Sequence, residues 1–497
     1  MKSVADRPNG KLAFSVGLFL CALLGASLGC ADNPIADQPT DARADDGRFI
    51  HWVEHRIDDS GLYPNVALRG ADGLEMADLD GDGAEDLVSV HEDSDHLRLS
   101  FATDDPDVWH SVTLDQGARV AGAEDPAIGD LDHDGDLDLI IACEGGTLVY
   151  FENPGGARAR DPSQWIPFIP PGVEERGSWI RVYVADLDRD GDLEVIATNK
   201  SIPMPGGYGS MEVPPTPVSV FQIDGDPLDA ASWHEFPLSH HRVPVNSRPI
   251  DLNGDGDLEV LIGSRGEARM LIAEDPTGPM PSANVIPIEV DNPHRLIPGD
   301  IPKRLSGFEV ATYDLNGDGR LDLVTSETPW SLVWLEQPEE FETPWRVHRI
   351  VSAYPDSPTA ITLVDINGDG RVDIFSGGYS EDPRETEVQD PGLLHRAGGL
   401  FWFEQPADPT QPWQRHDISR RVRGMYDVMV PRDLNGDGLI DFVGTRGNSG
   451  VFDGVIWIEQ QRSESAEPRF AGARSAESRQ LTAIPGWIRA LARFILL

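Results

Sequence analysis

Residues 78–86 read Asp78-Leu79-Asp80-Gly81-Asp82-Gly83-Ala84-Glu85-Asp86, with acids at positions 1, 3, 5 and 9 and a glycine at position 6. The string Asp-x-Asp/Asn-x-Asp-Gly-x-x-Asp/Glu recurs seven times, beginning at Asp78, Asp130, Asp186, Asp251, Asp314, Asp365 and Asp433. Successive copies start 51 to 68 residues apart. Self-similarity at a period of this size marks a repeat architecture, and the spacing suits one four-stranded propeller blade with its loops.

The flanks repeat as well. A short extended stretch precedes each motif, as in Ala360-Ile361-Thr362-Leu363-Val364, and an apolar run follows it, as in Leu137 to Ala142 and Leu258 to Ile262. A third strand then ends in an acidic or amide turn, as in Leu148-Val149-Tyr150-Phe151-Glu152-Asn153-Pro154 and Leu400-Phe401-Trp402-Phe403-Glu404-Gln405-Pro406. A fourth opens on Trp109, Trp165, Trp233, Trp345 or Trp413, with a copy lacking Trp at Asn284 to Val290. Alternation, β-branched content and Gly/Pro/Asp breaks all read as strand and turn. The seventh motif has no fourth strand after it, because the chain turns polar beyond Val455 to Ile458. Yet Trp52-Val53-Glu54-His55-Arg56-Ile57 stands before the first motif with no blade of its own. The expectation is an all-β, seven-bladed β-propeller over residues 48–460, its N-terminal strand closing the last blade. Closure would remove the free sheet edges that template aggregation.

The motif's spacing has a chemical reason. Calcium takes six to eight hard oxygen ligands, and a tight loop can wrap it with alternate side chains, a backbone carbonyl at position 7 and a last carboxylate at position 9. Glycine at position 6 permits the sharp turn. The candidate ligands of the first loop are Asp78, Asp80, Asp82, the Ala84 carbonyl and Asp86. Those of the second are Asp130, Asp132, Asp134, the Asp136 carbonyl and Asp138; those of the third are Asp186, Asp188, Asp190, the Asp192 carbonyl and Glu194. The fourth has Asp251, Asn253, Asp255, the Asp257 carbonyl and Glu259, and the fifth Asp314, Asn316, Asp318, the Arg320 carbonyl and Asp322. The sixth has Asp365, Asn367, Asp369, the Arg371 carbonyl and Asp373, and the seventh Asp433, Asn435, Asp437, the Leu439 carbonyl and Asp441. Up to seven Ca²⁺ are expected; polar Asx turns without metal are the alternative for any single loop. Zinc does not suit loops without His or Cys. An EF-hand needs a bidentate Glu at position 12, where this chain has Ser89, Ile141, Ala197, Ile262, Thr325, Ser376 and Gly444.

With these flanks, the loops resemble the FG-GAP/VCBS repeats of integrin-α-type propellers and of bacterial surface proteins, over residues 48 to 460. The resemblance implies a propeller with calcium between the first and second strands of each blade. The Trp-x-x-His-x-Ile and Trp-Phe-Glu-Gln-Pro signatures resemble those of a bacterial exported subgroup. They are also similar to the propeller of aldos-2-ulose dehydratase, a sugar lyase, although no cupin-like domain accompanies them here. Two functions are implied: a binding or scaffolding module of the cell envelope, and alternatively a carbohydrate-active lyase or isomerase.

Composition bounds the rest. The chain has 497 residues, 50 Gly, 40 Pro and a formal charge of -45, which excludes nucleic acid as a partner. Residues 1–29 read as a signal peptide, with Lys2, Arg7 and Lys11 ahead of an apolar run from Leu12 to Leu28. Cys30 is the expected lipidation site, which would anchor the protein by lipid in the periplasm or at the cell surface. Cleavage after Ala31 and a retained membrane anchor are the competing readings. Residues 30–47 read as a flexible linker, and residues 461–497 as a basic tail with a short amphipathic helix. Only Cys21, Cys30 and Cys143 exist, so no disulfide framework can stabilise the fold. Five residues ahead of four consecutive motifs stand Asp125, Arg181, Asn246 and Glu309, which would line one arc of the channel mouth. That arc is either a water-filled, salt-bridged funnel or a small-ligand site. A protein or glycan partner is expected on the face opposite the Asp loops, where functional loops of such scaffolds cluster. His55, His348 and His416 recur at one position of the fourth strand and are expected to pack.

Overall fold

The structure is a computed structural model that describes residues 40–201, 213–276, 283–291, 305–327, 330–353, 356–379, 398–421, 424–447 and 453–467. Residues 1–29, Cys30, the amphipathic part of the tail and most of the Gly378–Gly399 loop lie outside the described residues.

Seven antiparallel sheets form a ring. The innermost strands are Ala71–Ala77, Ala123–Gly129, Trp179–Ala185, Pro244–Ile250, Leu305–Tyr313, Ser357–Val364 and Met429–Arg432. Each second strand follows its Asp loop and is apolar on both sides, as in Asp138–Cys143, where every residue is buried. It must be so, because its two faces press against two neighbouring blades. Apolar clusters fill all seven blade–blade interfaces.

The Trp that opens the fourth strand explains itself here. Trp109, Trp165, Trp233, Trp345 and Trp413 each insert into the interface with the preceding blade. Every one of these indoles donates Nε1–H to a backbone carbonyl three to six residues upstream, those of Pro106, Ala159, Pro227, Phe341 and Pro409. A large apolar body with one satisfied polar atom is the group that such a seam can bury without loss.

Blade seven takes its outer strand from the other end of the chain. Phe49–Asp59 pairs antiparallel with Gly454–Ser463, Phe49 opposite Ser463 and Asp59 opposite Gly454. Trp52 fills the seam between blades six and seven as the other tryptophans fill theirs. Across the ring closure, Arg98 of blade one holds Asp58 with Nε and Nη2 at 2.8 and 2.9 Å, both side chains buried.

Two expectations need correction. Within residues 40–47, read as the end of a flexible linker, two side chains are anchored: Ala42 and Ala44 join the core between blades six and seven, and Asp45 N–H donates to the Asn367 carbonyl at 3.0 Å, while their neighbours stay largely exposed. Small alanines at alternate positions let the backbone lie flat on that core. The strand expected over Asn284 to Val290 is regular only over Asn284–Pro287, and Ile288 N–H still donates to the Met270 carbonyl at 3.0 Å. Val290–Asp291 then crosses to pair in parallel with Trp345 and Arg346 of blade five.

Candidate metal loops and channel mouth

Each Asp loop joins the first and second strands of its blade, and each is built by the same hydrogen bonds. The position-1 carboxylate accepts from the position-6 glycine N–H in six loops, at 3.2 Å or less, as Asp78 does from Gly83 and Asp365 from Gly370. That glycine has φ between 82° and 98° in every loop, and a side chain there would be strained. Position 3 accepts from the position-5 N–H, and position 5 from the position-7 N–H, in all seven.

Position 9 does more than the motif's spacing announces. One oxygen of Asp86, Asp138, Glu194, Glu259, Asp322, Asp373 and Asp441 accepts from the position-2 N–H. In five of these blades the other oxygen accepts from a backbone N–H in or just after the third strand, that of Ala102, Asn153, Gln337, Gln405 or Gln460. Those amide side chains reach on to the preceding blade: Asn153 Nδ2 donates to the Leu79 carbonyl, Gln337 Nε2 to Leu252 and Gln460 Nε2 to Ile366. The Glu-Asn/Gln-Pro turn is thus a staple between neighbouring Asp loops. Burial pushes the position-9 carboxyls up, to about 6 in Asp86 and about 7 in the other six.

The donors fit a hard cation. In the first three loops, oxygens of Asp78, Asp80 and Asp86, of Asp130, Asp132 and Asp138, and of Asp186, Asp188 and Glu194 lie within 4.8 Å of one another. Asp130 Oδ1 and Asp186 Oδ1 are buried with no hydrogen-bond partner, at the same place in successive loops. In the last four loops Asn replaces Asp at position 3, and its Nδ2 donates to the position-5 carboxylate. Arg160 of blade two reaches into the first loop onto Asp80 and Asp82, so the seven cradles are not equivalent.

The fourth-strand histidines pack, each by one device. His55, His348 and His416 stack on Trp457, Trp334 and Trp402 with centroids 4.1, 4.0 and 4.4 Å apart. Each also meets the glutamate two residues after that Trp, Glu459, Glu336 or Glu404. The Trp-x-Glu and Trp-x-x-His signatures are two halves of one stack.

At the other end of the inner strands, the arc residues come together. Arg181 bonds Asp125 at 3.2 Å and Glu309, and Tyr183 Oη donates to Asn246 Oδ1 at 2.9 Å. Burial holds Asp125 up at about 6 and Glu309 at about 7, against the pull of Arg181. Arg181→Leu should cost about 1–3 kcal/mol in chemical denaturation, because two half-buried carboxylates lose their cation; no measurable loss would refute that role.

Sequence reasoning missed the residue one step earlier. The inner strands bulge there, Ala123 pairing with Cys143 and Asp125 with Ala142, so that Glu124 is the extra residue. A bulge offers two consecutive side chains where a regular strand offers one. Asp72, Glu92, Glu124, Glu144, Ile180, Lys200, Arg265, Phe308 and Asp427 are among the residues that line a cavity of about 430 Å³. Burial and the neighbouring carboxylates push Asp72 well above the usual carboxylate range and Glu124 up to about 7. The signal was present in the chain: an acid six residues before the first Asp of motifs seven, one and two.

A closed ring of four-stranded blades, each with one Asp-rich oxygen cradle after its first strand, defines a repeat β-propeller. The propeller carries FG-GAP-like repeats: the family model described as FG-GAP-like repeat matches residues 78–141, 130–197 and 307–376. No curated protein matches the chain. Solved structures similar to it include BBS1N in complex with ARL6DN, at 11% identity and a TM-score of 0.43 over 86% of this chain and 100% of that one. YCF48 from Cyanidioschyzon merolae is 6% identical, with a TM-score of 0.45 over 82% and 98% of the two chains. The V. cholerae biofilm matrix protein Bap1 is 10% identical, with a TM-score of 0.39 over 87% and 92%.

Proposed function

We propose that this protein is an exported, calcium-binding propeller that serves as a binding and scaffolding module of the bacterial cell envelope. Calcium would sit in the Asp loops, at up to seven sites. The observation that carries this reading is the pair of buried, unbonded oxygens Asp130 Oδ1 and Asp186 Oδ1 within two successive carboxylate clusters. An orphaned buried carboxylate oxygen costs free energy that only a cation or a donor offsets. Export follows from residues 1–29, and Cys30 would carry the lipid. With the Asp loops committed to stability, the opposite face and its polar cavity are left for a protein or glycan partner.

The test is calorimetric titration of chelated, desalted protein with Ca²⁺. Several ions per chain are expected, and Asp130→Ala and Asp186→Ala should each remove one. Absence of heat and of bound calcium by elemental analysis would defeat the proposal.

A further inference from the structure

The channel cavity holds a second kind of carboxylate cluster, outside the repeat motif. Asp72 is the second residue of the inner strand of blade one, and Glu124 the second residue of that of blade two. Glu92 opens the short 3₁₀ turn after the second strand of blade one. One oxygen from each lies within 4.8 Å of the others. Three oxygens this close lie at most roughly 2.8 Å from a common centre, so a small side-chain adjustment brings all three to calcium's bonding distance of about 2.3–2.6 Å.

Crowded acids alone would be no site. Here Asp72 is 5% exposed, lines the cavity, and keeps its Oδ2 buried without any hydrogen-bond partner. Its backbone is already held in place, since its carbonyl accepts from Thr445 Oγ1 of blade seven at 2.9 Å. The surrounding charge points the same way. Five acids line the cavity, Asp72, Glu92, Glu124, Glu144 and Asp427, against two bases, Lys200 and Arg265. Lys200 pairs with Glu144, and Arg265 lies over the Phe308 ring at 5.3 Å. Lys200 also acts on Glu124, Glu92 and Asp72, and Asp427 faces Asp72, so the one lysine offsets only part of the charge there and acids still outnumber bases around the cavity.

We infer that Asp72, Glu92 and Glu124 bind a hard divalent cation of calcium's class at the channel mouth, separate from the Asp loops. The donors are all oxygen, which disfavours zinc and copper. Three side chains leave half or more of calcium's coordination positions open, and these face a cavity roomy enough for water or an exchangeable oxygen ligand. Loop ions would serve stability; this one would remain open to an exchangeable ligand.

The test is independent of the loops. Wild-type protein crystallised with CaCl₂ should give an anomalous peak bonded to Asp72, Glu92 and Glu124. Asp72→Asn and Glu124→Gln should each bind one calcium ion fewer per chain than wild type in equilibrium dialysis, whereas Asp186→Asn loses a loop ion and keeps the channel peak. Loop peaks with no peak at the channel mouth overturn this inference alone. A channel peak without loop peaks overturns the loop reading and leaves this one standing. If both variants fold and retain the full calcium count, the assignment of these ligands is wrong.

Discussion

In excess chelator at pH 8, the protein should melt at least about 10 °C below its value in millimolar calcium, the loss of several sites each contributing about 2.7 kcal/mol at a hundredfold excess of ion over its dissociation constant. The gap should also depend on pH. The position-9 carboxyls titrate at about 6 in Asp86 and about 7 in Asp138, Glu194, Glu259, Asp322, Asp373 and Asp441, raised by burial. In the unfolded chain they titrate near 4. Between those limits the metal-free folded protein binds more protons than the unfolded one, so its stability falls as pH rises from about 4 to 7. Calcium takes the protons' place, so the loaded protein escapes the fall. Melting curves at pH 5, 6, 7 and 8, with and without chelator, should diverge as pH rises. Parallel curves, or coincident ones at pH 8, would show that the loops hold no stabilising ion.

Breaking the ring closure should be nearly as severe. Asp58→Ala is expected to cost about 3–5 kcal/mol, because it strands the buried Arg98 guanidinium in an apolar seam. The companion variant Asp58→Leu with Arg98→Leu should recover much of that loss, since the penalty lies in the unpaired charge. Deleting residues 49–59 goes further. It uncovers the whole edge of Gly454–Ser463 and takes Ile50, Trp52 and Ile57 out of two interface cores. The shortened chain should be recovered as aggregate. A soluble, monomeric deletion product with wild-type calcium binding would mean that closure is dispensable.

The blade count, the strand that crosses from the N-terminus and the oxygen cradles were all legible along the chain. Each depends on local order: a nine-residue spacing, a two-residue alternation, and a Trp with no blade to serve. The staple and stack residues were visible as signatures without a reason, because Asn153 and His416 act on blades or strands that sequence proximity does not reveal. The roles of position 9 and of residues 40–47 were likewise hidden, since burial decides them. The channel mouth was furthest from view. Asp427 and Asp72 share its wall only because the ring closes, and Glu124 enters it only because a bulge turns two neighbours the same way. Sequence by itself determined the repeat, its Asp loops and the way the ring shuts, all of them short-range patterns. Tertiary structure alone decided where carboxylates from different blades crowd, because electrostatic energy depends on distance through space and not on separation along the chain.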